Sequence, residues 1–221
     1  MYSEAHGSYD ITNKFLSFNT DNRIRKKAAE SILSENPASV LDIATGTGDL
    51  AIMTARLAGE KGLKAKVTAI DMNSSMLSVA REKARRQGAR NVMFEKGDAT
   101  ELKYADGSFD AVVCSFALKN FDSQEKFLKE AKRVLKRNGT FVLIDISKPE
   151  STIGRPAFWV YMRYMKLFGL ITGKRLYKWL PGSTAEFNRK EFVKKVKGAG
   201  FKDVKVEEYL FGISYLLKCR K

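Results

Sequence analysis

The chain has little sulfur and almost no imidazole. Its two cysteines, Cys114 and Cys219, lie far apart with no C-x-x-C pair, so neither a disulfide framework nor a cysteine zinc site is indicated. His6 is the single histidine, which excludes serine-type triads and histidine metal clusters. No apolar run approaches the roughly 20 residues that span a bilayer, and Met1–His6 lacks the basic-then-apolar layout of a signal peptide. The expected location is cytoplasmic, and no metal is expected. There is no internal repeat or low-complexity segment.

What is present is an ordinary globular composition, 44% hydrophobic over 221 residues, consistent with one domain and a full core. The net charge is +15 and unevenly spread: residues 151–221 carry sixteen Lys/Arg against five Asp/Glu, a local +11, while 41–150 carry +4 and 1–40 balance. A basic C-terminal end suits an anionic membrane surface, nucleic acid or an acidic substrate, or is simply a solvated lysine-rich surface.

Val40–Leu41–Asp42–Ile43–Ala44–Thr45–Gly46–Thr47–Gly48–Asp49–Leu50–Ala51 is the stretch around which the rest is organised. Ser39–Ala44 reads as a buried parallel strand and Asp49–Leu57 has helical apolar spacing, so the glycines lie at a strand-to-helix turn. Open α/β sheets bind ligands there. Gly46-x-Gly48-x-x-Ala51 also fits the dinucleotide fingerprint, which leaves nicotinamide and flavin cofactors open. A dinucleotide, however, sets a pyrophosphate on the helix N-terminus, where Asp49 brings its own carboxylate. Asp42 adds an acid at the buried strand end. The pair suits a ligand with positive charge near the glycines, as in S-adenosylmethionine; Asp49 alone reads equally as an N-cap.

In chain order, the spacing predicts an N-terminal helical lid over 1–37, broken near Asn19–Asn22, with a second helix from Arg23 to Ser34. Lys66–Met72 is the second strand. Its terminal Asp71, some twenty residues past the glycines, suits two ribose hydroxyls. Asn73–Ser75 caps a helix through Gln87, and Val92–Asp98 follows as the third strand. Asp98 is placed to accept from a purine amine, or is a turn residue before Ala99. Phe109–Phe116 is the central strand, with Ala117–Leu118–Lys119–Asn120–Phe121 beyond its end. A helix over Ser123–Lys136 stops at Asn138–Gly139, and Thr140–Ser147 is the fifth strand. Residues 150–187 leave this rhythm: Phe158–Phe168 is aromatic, apolar and interrupted by Arg163 and Lys166. It reads as a cap over an apolar ligand, an interfacial helix, or a core helix. Asn188–Glu191 opens a helix with a capping box, and Lys202–Phe211 and Ile213–Cys219 form a terminal hairpin joined at Gly212. The fold expected is α/β: a Rossmann-like, doubly wound, mostly parallel seven-stranded sheet with a C-terminal antiparallel hairpin. It divides into the lid (1–37), a core (38–149), an aromatic cap (150–187) and the C-terminal helix and hairpin (188–221).

Leu41–Ala51, Asp71–Leu77, Gly97–Ala99, Ser108–Asp110, Phe116–Asn120, Arg133–Lys136 and Ile146–Pro149 together resemble class I S-adenosylmethionine-dependent methyltransferases. More narrowly, they resemble the C-methyltransferases of ubiquinone and menaquinone biosynthesis. The likeness runs from Tyr9–Asp10 to about Pro149 and resumes over Glu186–Gly212. It implies that the Gly46/Gly48 turn, with Asp42 and Thr45, holds the methionine part of the cofactor, Asp71 with Met72 the ribose, and Asp98 with Ala99 the adenine. Ser115 completes the cofactor residues. It further implies that Lys119 and Asn120 face a quinol-like methyl acceptor and that Tyr9 closes the pocket. Three departures fall on the acceptor side. Lys119 stands where arginine is usual, no histidine occurs in Gly212–Leu217, and Leu176–Gly182 replaces a tyrosine-rich segment. An apolar tail on the acceptor would use the aromatic segment, and the basic end an anionic inner-membrane face; a homodimer is compatible. The alternatives are an RNA or other small-molecule methyltransferase, against which stands the absence of an Asn/Asp-Pro-Pro-Tyr signature and of an added nucleic-acid module, and a non-catalytic cofactor- or lipid-binding assembly protein. A nicotinamide oxidoreductase is at odds with Asp42 and Asp49.

Overall fold

The computed structural model describes residues 20–172, 184 and 187–221. In chain order the elements are α1 (Thr20–Leu33), β1 (Ser39–Ile43), α2 (Asp49–Glu60), β2 (Lys66–Asp71), α3 (Ser74–Arg86), β3 (Val92–Lys96), β4 (Phe109–Ser115), a 3-10 turn (Leu118–Asn120), α4 (Gln124–Val134), β5 (Leu135–Ile146), α5 (Gly154–Thr172), α6 (Arg189–Gly198), β6 (Lys202–Tyr209), a second 3-10 turn (Leu210–Gly212) and β7 (Ser214–Arg220). The seven strands form one sheet in the order β3-β2-β1-β4-β5-β7-β6. β1 pairs in parallel with both β2 and β4, so the order reverses beside it. That reversal opens a crevice beyond the carboxyl ends of β1, β2 and β4. β7 runs antiparallel to β5 and to β6, which is the terminal hairpin expected from the sequence.

Both sheet faces are covered, which is why the strands read as continuous apolar runs. Successive residues of β1 feed opposite cores. Val40 packs with Ile24, Ala28, Ala51 and Leu77 of α1–α3, and Leu41 with Phe127, Phe141, Phe192 and Tyr215 on the α4/α6 side. The helix starts follow local chemistry. Asn73 caps α3 by accepting from the N–H groups of Ser75 and Met76, Ser123 caps α4 through Lys126 N–H, and Asn188 caps α6 through Glu191 N–H.

One stretch differs from the sequence reading. The helix expected to Lys136 ends at Val134, and β5 begins at Leu135. Leu135 pairs with Phe109, a register shift intervenes before Ala111 pairs with Thr140, and the Leu135 side chain is fully buried. Strand pairing there overrides helical propensity. The aromatic segment forms the long helix α5, but it is not a core helix. Phe158 and Met162 pack on Leu210 and Ile213, while Trp159, Val160, Leu167 and Leu170 stand exposed on its other side. Of the N-terminal lid only α1 lies in the described part; the expected first lid segment, Tyr9 and Leu176–Gly182 lie outside it. No described helix is long and apolar enough to cross a membrane.

Candidate cofactor and acceptor site

The turn after β1 is built from left-handed backbone: Ala44 has φ 56°, Gly46 57° and Gly48 80°. Such values are easy for glycine and costly for alanine. Thr45 N–H donates to Ile70 O (2.9 Å) and Gly48 N–H to Thr45 O (2.9 Å), and Gly48 O receives Ile52 N–H (2.9 Å). Gly48 is the N-cap of α2, so Asp49 is the first helical residue and not the cap. A Cβ at Gly48 would come within 2.9–3.1 Å of Phe94 and Ala80. This glycine therefore serves close packing of α2 against α3 and β3, and it sits behind the cavity wall. Asp49 pairs with Lys83 at 2.8 Å, with Arg25 at 3.8 Å.

Beneath the turn, Asp42 is fully buried. Its Oδ2 accepts from Thr45 Oγ1 at 2.6 Å, and its Oδ1 has no hydrogen-bond partner among the described residues. Burial pushes this carboxyl up to about 7, against the pull of the Thr45 hydroxyl and the Arg25 charge. A buried, half-satisfied carboxylate costs free energy in the empty fold. A cationic ligand above the turn would relieve that cost.

At the end of β2, Asp71 is clamped by backbone. Gly46 N–H donates to Oδ2 (2.8 Å) and Asn73 N–H to Oδ1 (2.9 Å). A carboxylate fixed through both oxygens has acceptor capacity left for a vicinal diol. Beyond β3, Asp98 Oδ1 accepts from Thr100 N–H (2.7 Å) and Oγ1–H (2.8 Å). It is thus the turn residue that the sequence allowed, and it also lines the cavity.

Thr45, Gly46, Asp71, Met72, Asp98, Ala99, Ser115 and Asn120 share the wall of one cavity of about 430 Å³, within the size range of small-molecule sites. Asp42 lies under it and Gly48 behind it. Lys119 does not line it: its ammonium meets Asp145 Oδ1 at 2.5 Å and lies 5.4 Å from the centre of the Phe187 ring. Asp145 also accepts the N–H groups of Leu118 (3.2 Å) and Ile146 (2.7 Å). One buried carboxylate therefore holds both the lysine and the turn that presents Asn120. No described residue of α5 lines the cavity.

Two participants escaped the sequence reading, Arg25 and Asp145. Arg25 reaches the cavity from α1 and belongs to no motif. Asp145 did carry a signal, as the one acid closing the buried run Phe141–Asp145, because an unpaired charge is rarely tolerated there. The basic C-terminal end contributes a separate surface groove between α4 and α6. Several of its cations are already engaged: Lys132 donates to Ala199 O (2.7 Å), Lys221 to Leu135 O (2.6 Å), and Lys195 pairs with Glu125 (2.9 Å).

A glycine turn after the first strand, acids under and beside it at successive strand ends, and a reversal of strand order together make a Rossmann-like nucleoside-cofactor site. The chain belongs to the ubiE/COQ5 methyltransferase family, which it matches over residues 1–220. It is 37% identical over 217 residues to the demethylmenaquinone methyltransferase of Thermus thermophilus, covering 97% of this chain and 96% of that protein. With the demethylmenaquinone methyltransferase of Thermotoga maritima it shares 36% identity over 221 residues, 97% of this chain and 91% of that protein. Among solved structures, a SAM-dependent methyltransferase from Aquifex aeolicus superimposes with a TM-score of 0.62 at 25% identity, over 87% of this chain and 88% of that one. The [4+2]-cyclase SpnF superimposes at 0.68 with 19% identity, over 90% of this chain and 80% of that one. That second likeness shows the fold alone, since one fold hosts different reactions.

Proposed function

We propose that this protein transfers the methyl group of S-adenosylmethionine to a ring carbon of a demethylated menaquinol. The observation that carries the acceptor is the near full-length likeness to proteins named demethylmenaquinone methyltransferase; a ubiquinol-type ring is the second acceptor to try. In this reading Asp71 and Met72 hold the ribose, Asp98 and Ala99 the adenine, and Thr45, Gly46 and Ser115 the methionine arm, with Asp42 supplying negative charge beneath. The fit rests on the orphaned Asp42 oxygen and the doubly clamped Asp71 carboxylate.

The bound sulfonium supplies an already activated methyl group. The protein's tasks are to align the acceptor and exclude water. Loss of a phenolic proton to water puts carbanion character on the neighbouring ring carbon, and once the methyl group is in place that carbon's own hydrogen is lost as a proton to restore the aromatic ring. Lys119, fixed by Asp145 beside the wall, is assigned to stabilising that phenolate, and Asn120 at the cavity wall to orienting the ring. Tyr9, outside the described residues, is assigned to closing the pocket. The acceptor's apolar tail directs attention to α5. Its exposed Trp159, Val160, Leu167 and Leu170 are accompanied by exposed Arg155, Arg163 and Lys166, a composition suited to an anionic membrane face.

The test is transfer of labelled methyl from S-adenosylmethionine to demethylmenaquinol, run beside demethylated ubiquinol and total RNA. Label in demethylmenaquinol supports the proposal. Label only in RNA, or cofactor binding with no transfer, overturns the acceptor and keeps the fold.

A further inference from the structure

The cavity wall carries four carboxylates, Asp49, Asp71, Asp98 and Asp122, and Arg25 is the single cation among its described lining residues. The Arg25 side chain is 13% exposed, and its guanidinium lies 5.0 Å over the ring of Phe116. A buried guanidinium normally spends its planar fork on a carboxylate or on carbonyls. Here the nearest carboxylate oxygen, Asp49 Oδ2, is 3.8 Å from Nη2, beyond hydrogen-bonding reach. The other Asp49 oxygen is held by Lys83 at 2.8 Å. Arg25 Nε is buried and has no hydrogen-bond partner among the described residues.

Its position in the cavity is informative. Phe116 follows β4, which lies directly beside β1 and its glycine turn, whereas Asp71 and Asp98 lie out toward the β2/β3 edge. Arg25 is thus at the glycine-turn end and the two ribose- and purine-side acids are at the other. S-adenosylmethionine carries two positive groups, the sulfonium and the ammonium, and one negative group, its carboxylate. Asp42 and Asp49 suit the first two and repel the third.

We propose that Arg25 receives the carboxylate of S-adenosylmethionine, so that helix α1 carries a specificity residue for the amino-acid end of the cofactor. This rests on the cofactor site described above and is independent of the acceptor. The guanidinium fork takes the carboxylate, and the Phe116 ring keeps the fork in plane. The outcome is discrimination between the intact cofactor and nucleosides that lack the carboxylate.

The experiment is calorimetric titration of the full chain and of Arg25→Met and Arg25→Lys with three probes: S-adenosylmethionine, its decarboxylated form, and 5′-methylthioadenosine. The native protein should prefer S-adenosylmethionine over the decarboxylated form. In Arg25→Met that preference should collapse by about ten- to hundredfold, the scale of one charge-assisted interaction, while affinity for 5′-methylthioadenosine stays unchanged. Arg25→Lys, which keeps the charge and loses the fork, should fall between. Equal weakening of all three probes would make Arg25 a structural residue and overturn the proposal, as would an unaltered preference. If the native protein bound none of the probes, the cofactor site itself would fail, a result distinct from either. Because the readout is a ratio within one variant, partial loss of folded protein does not mimic it.

Discussion

The cavity wall and the ion pair beside it are built in different ways. In the wall each acid is set by its own strand end. Asp71 is clamped by the N–H groups of Gly46 and Asn73, and Asp98 by Thr100, so the geometry needs little beyond the turn itself. Beside the wall, Lys119 and the Asn120 turn depend on Asp145, which is 26 residues away from Lys119 in sequence and fully desolvated. Backbone clamps tolerate change because neighbouring amides can turn to water. A buried ion pair does not, since removing one member strands the other.

That contrast is broken or sharpened most strongly at Asp145. Replacing it by alanine leaves a buried lysine unpaired and should cost about 3–5 kcal/mol of stability. The expectation is a large fall in denaturation midpoint in urea at unchanged slope; a change under about 1 kcal/mol would mean that Lys119 swings readily to water. The next effect is at Asp71, where alanine should weaken S-adenosylhomocysteine binding by roughly 1–3 kcal/mol through unpaired donors. The denaturation midpoint should move less than for Asp145→Ala. Calorimetry on both variants separates the wall from the ion pair beside it: Asp71→Ala loses affinity more than stability, Asp145→Ala the reverse.

A pH-dependent effect belongs to Asp42. Burial pushes its carboxyl up to about 7 in the fold, from the ordinary 3.8 of the unfolded chain. The folded state therefore holds this proton longer, and the group's contribution to stability falls as pH rises from the unfolded value to about 7, then levels off. Cofactor affinity should move oppositely. A cationic ligand favours the ionised carboxylate, so binding should tighten between pH 6 and 8 with release of protons, measurable by calorimetry in buffers of different ionisation enthalpy. Asp42→Asn should flatten that dependence and stabilise the empty protein at pH 8. The smallest effect on stability is expected on α5. Val160→Ser with Leu167→Ser touches only exposed positions and should change stability by less than about 0.5 kcal/mol. If the helix meets a membrane, the same pair should lower co-sedimentation with anionic vesicles; unaltered co-sedimentation would remove α5 from that role.

How much was legible in the sequence follows the same division. Asp42, Gly46, Asp71 and Asp98 stand at strand ends that alternate with helices, and period and spacing locate those without any long-range information. The parallel core and the antiparallel pair closed at Gly212 followed from that alternation and from the handful of topologies that a parallel sheet permits, whereas the strand order is a tertiary fact. Less legible was the limit of α4. Arg133 to Lys136 has good helix formers, and only the pairing of Leu135 with Phe109 turns the chain into a strand. The place of Gly48 was also hidden, because two glycines in a loop look alike until Phe94 and Ala80 are packed against one of them.

Local sequence, then, determined where this chain turns, which turns end in acids, and that a cationic nucleoside suits them, because those properties depend on residues a few positions apart. Only tertiary structure decided that Lys119 faces Asp145, that Arg25 enters the cavity from α1, and that α5 keeps Trp159, Val160, Leu167 and Leu170 in the open. Each of these is a contact between distant segments. Its existence depends on which faces remain after the sheet has buried its own, a competition in free energy that no single window of sequence contains.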